Sequence, residues 1–211
     1  MHIKCLVSCL LLLSLYTTAE SQIISKAVFR VSDTEIKYAE ITEGSIIFNL
    51  DNKGNIVSFN LIAGGDYDYF ESGYGSRDGK IKSIGNTKID YWINDQEGSR
   101  DGKLKSIGTM KIDYWTSDLL SGKQGKVKSI GAINIDYWNH NLLNGGQGKV
   151  KSIGNINIDY WTGDLLSGKQ GKVKSIGNIN IDYWTDDLLN NNHGKIKSIT
   201  GNSQVIFAIK D

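Results

Sequence analysis

Proline is absent from all 211 residues, where average usage would supply roughly ten. Proline cannot donate to a β-ladder, so a chain without it is free to be mostly strand. Cysteine occurs only at Cys5 and Cys9. Both fall in a segment read below as a leader, which leaves no thiol chemistry, disulfide or cysteine-based metal site after its removal. Beyond that segment histidine is down to His140 and His193. There is no Asn-x-Ser/Thr acceptor for N-glycosylation. No sign of charge dominates either. Loss of Lys4 with the leader leaves 23 basic and 23 acidic residues, which gives no electrostatic ground for a nucleic-acid or anionic-membrane partner.

The only long apolar run is at the amino terminus. Met1 to Lys4 ends on a base, Cys5 to Tyr16 is apolar or small, and Thr17-Thr18-Ala19 supplies small residues. This is the pattern of a secretory signal peptide over residues 1–19, and the run is short for a bilayer span. The expected location is therefore outside the cytoplasm: extracellular, cell-surface or periplasmic.

What is abundant is one sentence of sequence. Gly148 to Trp161 reads Gly-Lys-Val-Lys-Ser-Ile-Gly-Asn-Ile-Asn-Ile-Asp-Tyr-Trp, with versions starting at Gly79, Gly102, Gly125 and Gly171 and a truncated one at Gly194. Every step is 23 residues. A fixed period of that size marks stacked supersecondary units. Around this block, residues 20–53 read as three non-repeat strands and residues 54–78 as a degenerate capping repeat. Residues 79–193 hold five repeats, and residues 194–211 a truncated repeat with a closing strand at Val205–Ile209.

Each unit reads as two strands about Gly131 and its equivalents. A two-residue turn at Gly131-Ala132 would set Lys128 against Ile135 and mix polar with apolar on both faces. A three-residue turn sets Lys128 against Asp136, Val127 against Tyr137 and Lys126 against Trp138, which sorts the faces; a slip of one residue flips every side chain. The same parity sets Asp136 against Lys151 and Tyr137 against Val150 in the next unit. One face then carries a Lys–Asp row from Lys82 to Lys197. Beside it runs a second row, with Lys103, Lys126, Lys149 and Lys172 interleaved among Trp92, Trp115, Trp138, Trp161 and Trp184. The expectation is an all-β protein, an antiparallel meander of tandem β-hairpins. The alternative is a parallel β-solenoid, which would stack like charges about 4.8 Å apart. The apolar face needs a cover: curvature, the amino-terminal strands, a second subunit, or the leucine pairs of the connectors, such as Leu119-Leu120 and Leu142-Leu143.

The 23-residue, two-strand unit is similar to MORN repeats, although its Gly/Tyr/Trp spacing is not theirs. Asp51-x-x-Gly54-Asn55-Ile56 and Asp78-Gly79-Lys80-Ile81 resemble the turn-and-strand start of tyrosine–aspartate (YD) repeats. The resemblance, over about residues 54–200, implies a secreted bacterial β-hairpin repeat protein and carries no activity.

Catalysis needs unlike groups that converge. The aspartates repeat in identical surroundings, which does not separate the pKa values of an acid and a base. No Asp-rich calcium loop, phosphate loop or second ligand beside a histidine is present. The expectation is a non-catalytic protein with no cofactor or metal. Strands of about six residues are also too short for a membrane barrel, which needs roughly 9–11. The five tryptophans admit two readings. They either pack on lysine stems and connectors, or they form a stacking platform for an extended ligand together with Lys103, Lys126, Lys149 and Lys172. The leading function is a secreted or surface structural and adhesion scaffold. The alternative is carbohydrate binding along the tryptophan row. Partners in keeping with these readings are a polysaccharide, another surface protein or further copies of the chain.

Overall fold

A computed structural model describes residues 24–95, 99–116, 122–139, 145–163, 167–185 and 191–211. The leader and the connector leucine pairs lie outside these described residues, as does His140. The chain starts with four antiparallel strands, β1 (Lys26–Val31), β2 (Ile36–Glu43), β3 (Ile46–Leu50) and β4 (Ile56–Leu61). A short strand β5 (Tyr67–Tyr69) follows. Each repeat then adds a pair: β6 (Ile81–Ile84) and β7 (Thr87–Tyr91), β8 (Leu104–Ile107) and β9 (Met110–Tyr114), β10 (Val127–Ile130) and β11 (Ile133–Tyr137). The series continues with β12 (Val150–Ile153), β13 (Ile156–Tyr160), β14 (Val173–Ile176) and β15 (Ile179–Tyr183). It ends with β16 (Ile196–Thr200) and β17 (Ile206–Lys210).

Strands β5 to β16 form one twelve-stranded sheet in sequence order, with every neighbour antiparallel. The expected meander of hairpin repeats is thus the architecture, and the parallel solenoid is excluded. The sheet stays open, with β5 and β16 as its edges. No described helix is long and apolar enough to cross a membrane.

The register corrects the expectation within each hairpin. Ile130 pairs with Ile133 and Ser129 with Asn134, so the turn is the two-residue Gly131-Ala132, not the three-residue one. Gly131 sits at φ 55°, as the first position of a type II′ hairpin turn requires. The faces are sorted by a different device. Between units, Tyr114 pairs with Val127 but Asp113 pairs with Ser129, so Lys128 is an extra residue in a β-bulge. The same bulge recurs beside Lys151, where Tyr137 faces Val150 and Asp136 faces Ser152. An inserted residue changes side-chain parity once per strand. Val127 and Ile130 can therefore both point inward, three residues apart, and both are 1 % exposed. The conserved spacing of Asp-Tyr within the repeat has its reason here: Asp113 Oδ1 accepts the Tyr114 N–H at 2.9 Å at the bulge.

The apolar face is covered by the amino-terminal strands. They form a five-stranded sheet in the order β17-β1-β2-β3-β4, with β17 parallel to β1. The stretch read as a capping repeat is divided: β4 belongs to the covering sheet and β5 to the repeat sheet. Both sheets feed one core, in which Phe29, Phe48 and Leu50 of the cover meet Tyr137, Ile153 and Ile176 of the repeats. Each such buried side chain contributes about 1.5–3 kcal/mol, which a lone hairpin could not reach.

Polar contacts pin the two sheets in register. Glu43 Oε1 accepts the Ala132 N–H at 3.2 Å, Val150 N–H donates to the Asn52 carbonyl at 3.2 Å, and Asp33 Oδ1 accepts the Ile196 N–H at 2.7 Å. At Gly54, φ 78°, a β-carbon would lie 2.2 Å from the Tyr137 hydroxyl. Gly54→Ala is therefore expected to destabilise by about 2–4 kcal/mol, from left-handed backbone strain plus overpacking. Gly44→Ala, at φ 58° with nothing within 4 Å, is expected to cost only about 1 kcal/mol. Chemical denaturation of the two variants measures the difference, and equal losses would remove the close approach as its cause.

Candidate functional site

Two files of cation–aromatic pairs run along the repeat sheet, one on each face. On the outer face each tryptophan lies under a lysine of the following strand. Lys105 is 5.1 Å from the Trp92 ring, Lys128 5.2 Å from Trp115, Lys151 5.3 Å from Trp138, Lys174 5.2 Å from Trp161 and Lys197 4.8 Å from Trp184. A second cation from the connector reaches three of them: Arg100 on Trp92 at 3.8 Å, Lys123 on Trp115 at 4.9 Å and Lys169 on Trp161 at 4.7 Å. Such pairs contribute about 0.5–1 kcal/mol at exposed sites and more when desolvated. Two of the indole N–H groups reach onward along the sheet, whereas those of Trp92 and Trp115 are buried without a partner among the described residues. Trp138 Nε1 donates to the Ile158 carbonyl at 3.0 Å and Trp161 Nε1 to the Ile181 carbonyl at 3.4 Å. Trp92, Trp115, Trp138 and Trp161 are half-buried, and Trp184 is 38 % exposed at the carboxy-terminal end of the row.

Lys103, Lys126, Lys149 and Lys172 are not in that row, which corrects the interleaving expected for them. They lie on the inner side, over the tyrosines: Lys103 is 5.4 Å from the Tyr114 ring, Lys126 4.8 Å from Tyr137, Lys149 4.9 Å from Tyr160 and Lys172 5.1 Å from Tyr183. Each ammonium donates to the glycine carbonyl that opens the next repeat, as Lys149 Nζ does to Gly171 at 2.6 Å. The cause is a second bulge. Gly125 N–H donates to the Trp115 carbonyl and Trp115 N–H to the Lys126 carbonyl, so Gly125 and Lys126 together face one residue, with Gly125 at φ 76°. Burial pulls all four lysines below the usual ammonium range.

The Lys–Asp row exists in altered form. Lys82 meets Asp68 at 2.9 Å, Lys105 meets Asp90 at 3.6 Å and Lys151 meets Asp136 at 3.7 Å. Connector cations that sequence reasoning missed are its other half. Lys123 binds Asp136 at 2.7 Å and Lys169 binds Asp182 at 2.7 Å, while Arg77 lies 3.6 Å from Asp90 and Arg100 3.8 Å from Asp113. Their signal was a base standing 13 residues before Asp90, Asp113, Asp136 and Asp182. The Lys169 ammonium beside Asp182, with the Tyr183 N–H, holds that carboxyl below the usual range against some burial. Gly146 stands where Lys123 and Lys169 stand in their repeats, so Asp159 lacks the connector cation.

The described residues contain no cluster of three or more His, Cys, Asp or Glu side chains that could hold a metal. His193 Nδ1 lies against the Thr185 carbonyl oxygen, a local loop contact. Among the described residues, two depressions adjoin the repeat sheet. One, of about 450 Å3, lies on the outer face beside Trp161, Lys169, Lys174, Asn180, Ser198 and Thr200. The other, of about 470 Å3, opens between β4 and the inner face of the repeat sheet at Ile81, Tyr91, Leu104 and Tyr114. No family model matches the chain, and neither does any curated protein or solved structure.

Burial pushes the inner-face tyrosines up, Tyr91 to about 12 and Tyr114, Tyr137, Tyr160 and Tyr183 further. A phenol whose folded pKa is raised contributes stability that is full below the unfolded value near 10 and is lost as pH climbs towards the folded value. The four depressed lysines work in the opposite sense and are outnumbered by the five raised phenols. The protein is therefore expected to lose stability between pH about 10 and 12. Phenolate absorbance from these tyrosines should appear together with loss of the β circular-dichroism signal. Ionisation at the ordinary tyrosine value with the sheet intact would contradict their burial.

Proposed function

We propose that the chain is a non-catalytic structural and adhesion scaffold, secreted or held at a cell surface, whose repeat number sets its length. The observation that carries this reading is the use made of its polar groups. In unit after unit the aspartates are engaged by a cation or the tyrosine N–H, the inner lysines by the next repeat's glycine carbonyl, and the tryptophans by flanking lysines. Groups committed in a similar way from copy to copy favour extension of a surface over turnover at one place. The resemblance to bacterial hairpin repeats points the same way.

Excision of residues 102–124 removes one period and leaves the neighbouring sequences in phase. The shortened protein is expected to fold, with its long dimension reduced by roughly 9.6 Å, the width of two strands. Beads coated with the protein lacking residues 1–19 should be retained on immobilised cell-surface polymers, and less so after excision. Retention that does not depend on repeat number would overturn the length-setting role.

Carbohydrate binding along the outer tryptophan row is the second reading. It is favoured by the line of half-buried indoles, open at Trp184, and by the polar depression beside Trp161. Screening against a polysaccharide panel, followed by Trp161→Ala and Trp184→Ala, tests it. The expected loss is at least about tenfold in affinity for whatever glycan is captured, or ~1.4 kcal/mol. Affinity unchanged by both substitutions removes the row as the binding surface.

A further inference from the structure

The covering sheet ends before the repeat sheet does. β4 pairs with β3 on one side and with no described strand on the other. The Ile62 N–H donates to the Ser45 carbonyl at 2.9 Å, so strand alternation turns the N–H and C=O of Phe59 and the N–H of Leu61 to the open side, while the Leu61 carbonyl accepts the Gly64 N–H at 3.0 Å. Beside that edge lies the inner depression of about 470 Å3, with Ile56, Val57 and Phe59 as its wall. Its floor is Ile81, Leu104 and Tyr114 of the repeat sheet. Val57 is 60 % exposed, and Ile56, Phe59 and Ile81 are only half-buried although they pack on the core. The size falls within the roughly 300–1,000 Å3 of ordinary binding pockets. An unpaired edge above an apolar floor is the arrangement by which extended peptides are taken up as added strands.

The charges around the depression indicate what such a strand must carry. Where the cover is present, carboxylates of its loops act electrostatically on the inner lysines, Asp33 on Lys172, Glu35 on Lys149 and Asp51 on Lys126, the last opposed more strongly by Lys53. Lys103 is the next lysine of the same file and lines the depression, with no carboxylate beside it among the described lining residues. Its ammonium is half-buried on the Gly125 carbonyl over Tyr114, and no carboxylate among the described residues offsets that burial.

We propose that the open edge of β4 binds an extended peptide from another protein, added as a sixth strand of the covering sheet, with alternate apolar side chains on the Ile81–Leu104–Tyr114 floor and a carboxylate set against Lys103. This site is on the face opposite the tryptophan row and does not depend on it. The charge requirement selects an acidic-apolar strand over a basic one, because a like charge beside a desolvated lysine is repelled. An added strand also resolves the exposed edge, which otherwise invites non-specific pairing.

The test uses the protein lacking residues 1–19 and a short labelled peptide that alternates valine with threonine and ends in aspartate. Fluorescence anisotropy should show saturable binding, at least about tenfold tighter than for the same peptide ending in lysine. Lys103→Met should abolish that preference. N-methylation of alternate peptide residues should abolish binding in one phase and spare it in the other, since only one set of N–H groups faces β4. Val57→Lys, at an exposed position, should weaken binding with the melting temperature unchanged. Absent binding, equal affinity for the two peptides, or equal effects of the two N-methylation phases overturns the proposal. So does reversible dimerisation, measured by sedimentation, that Val57→Lys abolishes, because it would assign the edge to a second copy of the chain.

Discussion

Side chains of a β-strand alternate strictly between faces, and a Val-Lys-Ser-Ile strand offends that rule because its apolar residues are three apart. The bulge at Lys128 and its equivalents removes the conflict by letting two residues stand opposite one. Most of the repeat follows from it. Val and Ile both face inward, Ser129 is left to pair with Asp113, and the aspartate caps the tyrosine N–H that the bulge would otherwise strand. The lysine displaced by the bulge comes to rest over a tryptophan of the preceding unit. A glycine bulge two residues earlier, against the same neighbouring strand, does the same for the inner lysines, turning Lys126 onto Tyr137. Two insertions per unit thus build both cation–aromatic files.

The files tie each unit to the next without relying on the unit's own hairpin. Lys149 bonds the carbonyl that begins the following repeat, and Trp138 donates across two strands to Ile158. Those contacts are nearest-neighbour terms of the kind that make a repeat array extendable. The covering sheet acts differently. It belongs to no repeat, joins the two ends of the chain through the parallel β1–β17 pair, and buries the inner face only as far as β4 reaches. Length is therefore a property of the repeats, whereas the boundary between closed core and open depression is a property of the amino-terminal strands.

Much of this was legible in the residues. The 23-residue period, the opposite-charge argument against stacked coils and the glycine turns lead to an antiparallel meander, and Tyr137 against Val150 was readable as a pair. The three strands expected within residues 20–53 and the closing strand at Val205–Ile209 lie where β1, β2, β3 and β17 do. The turn length was misread because parity was assumed to hold through Val127–Ile130. A bulge has no compositional mark of its own: Lys-Ser reads equally well as two ladder positions.

Local chemistry by itself determined that the protein is a sheet of hairpins with one apolar and one charged side, since alternation and turn residues act over a few positions. Tertiary structure alone decided what covers the apolar side, because any strand of suitable pattern could have done so and only packing selects among them. It also decided that Lys103, Lys126, Lys149 and Lys172 face inward over tyrosines while Lys105, Lys128, Lys151 and Lys174 stack on the tryptophans. The two sets have the same composition and differ only in which bulge they adjoin, a distinction made by hydrogen bonds to the neighbouring unit.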